Sequence, residues 1–410
     1  DDVTIRQGRT EFAMDRILLQ KAALPRLSIT RLSSNIDQLD KFERQRRFLA
    51  ELFALQAGQI SIPTLFVRTY SSKNTAELIS ESVYRDNAME GLANRTIAQW
   101  RFASIRSLSP PVEPLLRESF QGAKIDNLGI DAVLTLLDPQ TDFASARTLL
   151  GQFSARNYAV SLAGLTVSID AIRLADFTIN PLDAAVKETL IRVVSGQNGI
   201  DGIPNAEVPP FLLNMAAAFS LGNLELQGLR VEALGIDDFT LDTMKLSESS
   251  LMFPDTQVLL NKLAGEPVPL AALVPKLAAA SLSGFAADVP EMSLEGGVES
   301  LNLTMQTDTS GKPSGVALSL QKLRVPTSLI PEGNALLARL TGTLNAMNIR
   351  IVELNQSLTL TYDAAAQALE LQDLDIDIRD LGRFQANARI ADVATSPFAD
   401  PAEAASSIRQ

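Results

Sequence analysis

The feature that most constrains the fold lies in Ala217–Gly265, where an apolar alternation that changes phase every few residues precedes an amphipathic helix closed by Gly265. A regular strand keeps one phase, because successive side chains point to opposite faces. Here the apolar pairs occupy even and odd positions in turn: Leu224 and Leu226, Leu229 and Val231, Leu234 and Ile236, Phe239 and Leu241, Met244 and Leu246. We therefore predict bulges or tight turns near Gly228, Ala233, Asp237–Asp238 and Asp242–Thr243. The expected result is short strands in a curved, strongly twisted sheet with one apolar concave face.

Pieces of this stretch recur along the chain. Gln227–Val231 (QGLRV) matches Ala163–Val167 (AGLTV), Asp238–Asp242 (DFTLD) matches Asp176–Asn180 (DFTIN), and Leu369–Ile376 is a further copy. The first two copies lead into amphipathic helices with these apolar stripes: Leu182, Val186, Leu190 and Val193 in one, Leu259, Leu260 and Leu263 in the other. The matches are short and unevenly spaced, so we interpret them as divergent strand–strand–helix units.

These units predict an α+β, β-rich fold of curved, twisted antiparallel sheets with amphipathic helices packed on them. A break at Ser109–Pro111 favours a domain boundary. We predict N-terminal β-helix-β units over 1–110, central repeats each closed by a helix over 111–265, and β-rich repeats over 266–394. Residues 395–410 are rich in Ala, Ser and Pro and are predicted to be a frayed tail.

Hydrophobic periodicity predicts the individual elements. Strands are predicted over 1–30, 59–110 (with a turn at Ala93–Arg95), 120–137, 314–326, 349–362 and from 369 onward. Helices are predicted over 35–57, 142–156, 180–196, 254–265, 268–280 and 331–341, with a helical turn over 112–116 and a further helix after Pro209–Pro210.

Composition excludes several functional classes. The 410 residues include neither cysteine nor histidine, which excludes disulfides, thiolate chemistry and a Ser-His-Asp triad. The formal net charge of −12 argues against nucleic acid as a partner and against electrostatic docking on anionic lipid head groups. No nucleotide-binding motif occurs, so we expect no cofactor, no metal and no enzymatic activity. A hydrolase that uses carboxylates alone is a distant alternative.

Three polar groups are candidate sites, each with a simpler interpretation. Asp373, Asp375 and Asp377 place carboxylates on one strand face, where calcium could bind, but the solvated face of an amphipathic strand is favoured. The loop Asn198–Glu207 lacks the calcium-loop pattern, which favours a plain turn. Ser319–Lys322 fits the S-x-x-K motif, but its alternation predicts a strand, in which these two side chains point oppositely.

The apolar residues are the remaining candidates for a binding surface. Trp100 beside Phe102 could line a ligand site, although core packing is favoured. The predicted ligand-binding residues on the apolar face are Trp100, Phe102, Leu165, Val167, Leu224, Leu226, Leu229 and Val231. Two interpretations stay open at this point: a face filled by the protein's own side chains, or a groove that takes acyl chains.

The recurring pattern resembles uncharacterised alphaproteobacterial envelope proteins that are distantly AsmA-like. The resemblance rests on the x-L-x-G-L-x-V units, on D-F-T-[LI] before a helix, and on the segments Tyr84–Leu92 (YRDNAMEGL) and Ile97–Trp100 (IAQW). It covers most of residues 1–393 and identifies no functional residues. It implies a periplasmic location, and AsmA-like relatives move phospholipid along a hydrophobic β groove. This chain differs from the long bridge-forming members in its short length and its several helices.

Together these features predict a non-enzymatic periplasmic protein that binds or transfers a lipid or another hydrophobic ligand, with phospholipid as a possible partner. The alternative is a structural or protein-interaction component of the envelope with a fully packed core and other envelope proteins as partners. Because the sequence begins with Asp1, we expect that a signal peptide or N-terminal anchor has been removed.

Overall fold

The computed structural model describes about two thirds of the chain. The described residues are 2–7, 9–23, 56–71, 76–110, 115–136, 145–182, 184–195, 204, 207–233, 236, 238–249, 278–289, 294–307, 313–329 and 335–393. Several predictions lie outside these ranges: the helix over 35–57 up to residue 55, the helix over 254–265, most of the helix over 268–280, the loop Asn198–Glu207 except Pro204 and Glu207, and the tail over 395–410.

The described residues are β-rich and form a large antiparallel sheet with few helices. The strands are β1 (Val3–Gln7), β2 (Thr10–Met14), β3 (Leu18–Gln20), β4 (Ala57–Tyr70), β5 (Leu78–Ala93), β6 (Thr96–Ser109), β7 (Leu116–Gly129), β8 (Arg147–Leu162), β9 (Leu165–Ile179), β10 (Phe219–Glu232), β11 (Asp238–Ser249), β12 (Ala279–Val289), β13 (Leu294–Thr307), β14 (Pro313–Pro326), β15 (Ile351–Asp363), β16 (Ala368–Ile378) and β17 (Gly382–Ile390). The helices are α1 (Ile130–Leu136), α2 (Ala184–Ser195), α3 (Val208–Ala217), α4 (Ala335–Ala346) and a 3-10 turn (Thr327–Leu329). The predicted β-rich antiparallel class is therefore confirmed, whereas its repeat organisation stays a prediction.

The chain divides into two compact units. The first unit comprises Asp1–Ala163, Ala171–Leu224 and Ser249–Lys276, and the second comprises Gly164–Asp170, Glu225–Glu248 and Leu277–Gln410. Strands β9 and β10 each contribute residues to both units. The predicted boundaries after residues 110 and 265 stay predictions.

In the first unit, successive strands pair in an antiparallel meander. Strand β1 pairs with β2, both β2 and β3 pair with β4, and the order then continues from β4 to β8. Asn94 and Arg95 connect β5 to β6 with positive φ values of 52° and 56°. Such a two-residue left-handed turn matches the twist of the strands that it joins, and it confirms the turn predicted there.

Helices cover part of the first unit. Helix α1 places Ile130 and Leu134 on a buried cluster with Ala57, Leu92 and Ile97. Helices α2 and α3 bury Val186 against Phe211, surrounded by Leu182, Leu190, Val193, Val208 and Met215. The predicted stripe over 180–196 is confirmed.

The start of α2 differs slightly from the prediction. The helix begins at Ala184 rather than at Pro181. The backbone N–H of Asn180 bonds to the carbonyl of Ala218, which holds this residue in sheet-like pairing just before the helix.

In the second unit, the strands from β11 to β17 also form an antiparallel meander in which each strand pairs with the next in sequence. Residues with a left-handed backbone conformation (positive φ) occur inside several strands without ending them. Gly228 in β10 has a φ of 64°, Lys322 in β14 has 46° and Asp373 in β16 has 53°. The irregularity predicted near Gly228 is confirmed, but β10 runs through it, so the strands are longer than expected.

Several element predictions were wrong. Residues 147–156, predicted as part of a helix, belong to β8, where Leu149, Gly151 and Phe153 alternate along the strand. Ile130–Leu136, predicted as strand-like, forms α1. Ala57, placed at the end of a predicted helix, begins β4. Ala279, placed at the end of another predicted helix, begins β12. Leu116, assigned to a helical turn, begins β7. Short apolar runs fit the helical period of about 3.6 residues as well as the strand period of about 2, so pairing with other strands decides between helix and strand.

Candidate functional site

A continuous apolar surface of the second unit lies on β14 to β17. Strand β15 contains no left-handed residue, so its alternate residues point to one face. Val352, Leu354, Leu358, Leu360 and Tyr362 share that face, and the residues between them are polar, apart from Ile351 at the start of the strand. Strand β15 therefore has one apolar and one polar side.

Cross-strand register continues this apolar side over the neighbouring strands. Opposite β15 lie Leu318 and Val316 of β14, and Leu371 and Leu369 of β16. We define the apolar face as the following residues: Val316, Leu318, Leu320, Leu323 and Val325; Val352, Leu354, Leu358, Leu360 and Tyr362; Leu369, Leu371, Leu374, Ile376 and Ile378; Phe384, Ala386, Ala388 and Ile390.

The face extends toward β11 in the same register. Leu303 of β13 lies opposite Leu318, Ala280 of β12 lies opposite Leu303, and Leu246 of β11 lies opposite Ala280. A second row runs from Met244 through Leu282 and Leu301 to Leu320. Apolar rows therefore cross the strands from β11 onward.

Bulges keep the apolar residues of β14 on one side. The register shifts between Leu320 and Leu323, which lie opposite Gln356 and Leu354 on the same side of β15. Lys322 is the left-handed residue of this bulge, and its backbone N–H donates to Asn355 Oδ1 at 2.8 Å. An inserted residue reverses the phase of the alternation, so both halves of β14 present leucine to the same face.

Strand β16 repeats this arrangement. Its register shifts between Leu371 and Leu374, and the backbone N–H of the left-handed Asp373 donates to Asn387 Oδ1 at 2.9 Å. In both strands, an asparagine on the next strand satisfies the backbone donor that the bulge removes from the ladder.

The opposite side of these strands is polar. The Arg383 guanidinium hydrogen-bonds both carboxylate oxygens of Asp375, and this contact lowers the pKa of Asp375 below its usual value. A cavity of about 360 Å³ between β15, β16 and β17 is lined by Ser357, Asp373, Leu374, Asp375, Gln385, Ala386 and Asn387. Among the described residues, no group of three or more acidic side chains is placed to hold a metal ion. In the predicted row, the Asp375 carboxylate is thus engaged in an ion pair with Arg383, and the backbone of Asp373 forms the bulge of β16.

Ser319 and Lys322, the S-x-x-K pair, lie on β14 on either side of Leu320. The Lys322 ammonium forms an ion pair with Glu299, which raises the pKa of Lys322 through a side-chain hydrogen bond. A lysine held in its charged form by a carboxylate is a poor general base. This contact supports the interpretation that the motif is coincidental.

Burial differs between the two units. The clusters of fully buried residues found in the described part of the chain all belong to the first unit. In the second unit, Leu320 and Leu369 are buried, but most of the apolar face is only half-buried. At its edge Phe384 is 58% exposed and Ile390 is 44% exposed. The apolar face therefore retains accessible hydrocarbon surface.

Trp100 and Phe102, two predicted ligand-binding residues, lie in a packed part of the first unit. Phe102 is 7% exposed, and its ring meets that of Trp100 edge-on at 5.7 Å between centroids. Trp100 Nε1–H donates to Asn87 Oδ1 at 2.6 Å. Burial raises the pKa of the neighbouring Tyr84, and Glu118 adds to this effect. These contacts are those of core residues.

The other six predicted residues lie on β9 and β10. Leu165 is 38% exposed, and the rest of the set is half-buried: Val167, Leu224, Leu226, Leu229 and Val231. Leu224 belongs to the first unit and the others to the second. Gly228 separates Leu226 from Leu229 with its left-handed backbone, which accounts for the phase change between them.

The apolar residues of β13 and β17 are not among the predicted ligand-binding residues. Leu301, Leu303 and Met305 alternate in one strand, and Phe384 and Ile390 lie at even spacing in the other. This alternation was the signal that could have identified them.

Neither a search for membrane-spanning helices nor a comparison with known proteins indicates a function for the site. No helix in the described ranges is long and apolar enough to cross a membrane. Comparison with known protein families finds no family that matches the chain, and comparison with curated proteins finds no protein that matches it. The functional proposal therefore depends on the chemistry of the described surface.

Proposed function

We propose that this chain is a non-enzymatic protein of the bacterial envelope that binds, and transfers, a lipid or another hydrophobic ligand on an apolar β surface. The observation that carries the proposal is the apolar face, whose rows cross successive strands while most of its side chains remain half-buried. Covering an acyl chain there removes hydrocarbon from water on both partners, which contributes about 0.8 kcal/mol per methylene.

The dimensions of the sheet suit an acyl chain. Neighbouring strands lie about 4.8 Å apart, so the strands from β11 to β17 span roughly 29 Å. The hydrocarbon core of a bilayer is about 30 Å thick and is filled by two opposed acyl chains, so a single acyl chain would occupy about half of this span. A chain lying across the strands would follow the leucine rows rather than cross polar backbone.

Charge supports a ligand that meets the face through hydrocarbon. The polar side carries the ion pairs of β14 to β17, including those of Arg383 with Asp375 and of Lys322 with Glu299. The net charge of −12 disfavours stable adsorption to an anionic membrane, which suits transient contact. The exposed Leu165 and the half-buried Val167, Leu226, Leu229 and Val231 extend the proposal to β9 and β10.

The second candidate is a structural or protein-interaction component of the envelope. The observation that favours it is the packing in the first unit, where Trp100 and Phe102 fill space that a ligand would need. A periplasmic location is part of both candidates, and fractionation of cells that express the complete gene tests it.

Lipid extraction and native mass spectrometry of the purified protein test the proposal. We expect lipid to copurify with the native chain and to be lost from the variant Leu318→Asp, while the variant keeps its circular dichroism spectrum. The matched control is Ala317→Asp, on the polar side of the same strand opposite Thr359. Protein that contains no lipid, together with unfolding of Leu318→Asp, would favour the packed-core candidate.

A further inference from the structure

A single carboxamide interrupts the apolar face. Gln356 lies on β15 between Leu354 and Leu358, and alternation places all three side chains on the same side. Across the strand pairs, Gln356 lies opposite Leu320 on β14 and Ile376 on β16. The amide is therefore surrounded by four aliphatic side chains, at a position where leucine would complete the row.

The Gln356 amide has unused hydrogen-bonding capacity. Its side chain is half-buried, and no hydrogen bond to it is found within the described ranges. The other polar group on the apolar face is the Tyr362 hydroxyl, which donates to the carbonyl of Val393 at 2.9 Å. A glutamine amide carries two N–H donors and a carbonyl acceptor, and a lone amide in an apolar row favours a ligand with a matching polar atom.

The surrounding charges indicate the kind of polar atom. The basic side chains of β14 and β17 lie on the polar side, where Lys322 pairs with Glu299, Arg324 with Glu295 and Arg383 with Asp375. Phosphate and carboxylate groups bind preferentially where Arg or Lys is available. An uncharged carbonyl oxygen needs only an N–H donor, which the Gln356 amide supplies.

We propose that Gln356 donates a hydrogen bond to the ester or amide carbonyl of an acyl lipid whose hydrocarbon lies on the apolar face. This inference depends on the proposed function and specifies its ligand class: acyl esters or amides rather than plain hydrocarbons. Gln356 sets the position of the linkage, and the leucine rows on both sides bind the chain.

Competition binding with two matched probes tests this assignment. Methyl palmitate and an alkane of the same chain length are titrated against a fluorescent apolar probe bound to the full chain. We expect native protein to prefer the ester, and Gln356→Leu to lose about 2- to 10-fold of that preference, the range of one hydrogen bond. The alkane should bind Gln356→Leu at least as well as it binds native protein.

The control variant is Gln372→Leu, the same change on the polar side of β16, where the Gln372 amide bonds Glu370. We expect this variant to keep the ester preference. Equal binding of both probes to native protein, or an unchanged preference in Gln356→Leu, overturns the role of Gln356 alone. Failure of native protein to bind either probe overturns the proposed function and the role of Gln356 together.

Discussion

The backbone N–H of Lys322 donates a hydrogen bond to Oδ1 of Asn355 on the adjacent strand, at 2.8 Å. This contact holds the bulge that places Leu320 and Leu323 on the same side of β14. An asparagine side chain thus replaces a ladder bond that the inserted residue cannot make.

Replacing Asn355 tests the energetic role of that bond. We expect Asn355→Leu to lower the free energy of unfolding by about 1 kcal/mol, because it removes the acceptor for the Lys322 N–H. Asn355→Asp keeps an acceptor oxygen at the same place and should lose much less. Urea denaturation measures both variants, and equal losses would argue against the bond.

Gly228 gives a prediction about backbone conformation and space. Its φ is 64°, and a Cβ atom at this position would collide with the Asp170 carboxylate. Gly122 has a similar φ of 55° but has no atom within 4 Å of the Cβ position, so Gly122→Ala should lose only the conformational part, about 1 kcal/mol. We expect Gly228→Ala to be clearly more destabilising in thermal unfolding. Similar losses in the two variants would contradict the steric explanation.

Asn87 and Trp100 form a pair suited to a double-mutant cycle. Asn87 is 1% exposed, its Oδ1 accepts from Trp100 Nε1–H at 2.6 Å, and its Nδ2 has no partner among the described residues. Trp100→Phe leaves the whole amide buried without a partner, which we expect to cost about 1–3 kcal/mol in hydrogen bonding in addition to the lost ring contacts.

Replacing both members of that pair should recover stability. Asn87→Leu combined with Trp100→Phe removes the donor and the acceptor together, so the double variant should be more stable than Trp100→Phe alone. Guanidinium denaturation of the four proteins of the cycle measures the coupling. Strictly additive losses would show that the two side chains do not interact energetically.

The ion pair of Asp375 with Arg383 predicts a dependence on pH. The hydrogen bond from Arg383 lowers the pKa of Asp375 below 3.8, its usual value. A lowered folded-state pKa adds stability above the unfolded-state pKa, and this stability is lost as the pH falls through the folded-state value. Native protein and Arg383→Gln should therefore differ at neutral pH and converge in acid below that value.

Thermal unfolding between neutral pH and strong acid measures this convergence. Arg383 is exposed and Asp375 is half-buried, so we expect a small effect that high salt reduces further. In the background of Asp375→Asn, Arg383→Gln should lose its dependence on pH in this range. A dependence that persists in that background would have another origin.

The sequence predicts the strands better than the helices. Alternation identified β5, β6, β14 and β15, because each carries apolar residues on one face over many positions. Residues 147–156 were predicted as a helix but form a strand, and residues 130–136 were predicted as a strand but form a helix. In the first case, Leu150 and Phe153 fit a helical spacing as well as an extended one. The choice depends on pairing with β7, which is not visible in local periodicity.

The sequence predicts an apolar face, but it does not show which apolar residues adjoin across the strands. The phase changes around Gly228 led to the correct idea that bulges keep one face apolar. The residues chosen from that idea lay on β9 and β10 or beside Trp100, whereas the most continuous rows run through Leu318, Leu358 and Leu360. Register between strands decides which leucines adjoin, and Gln356 becomes conspicuous only when its cross-strand neighbours are known.

The consecutive pairing of β11 to β17 has a consequence for how the protein forms. Each of these strands can add to the edge that the preceding strand has just provided, so each pairs with its neighbour in sequence. Topologies with short sequence separation between partners fold quickly for their size. The strands from β11 to β17 can therefore pair in order while the chain emerges, each with the strand that precedes it.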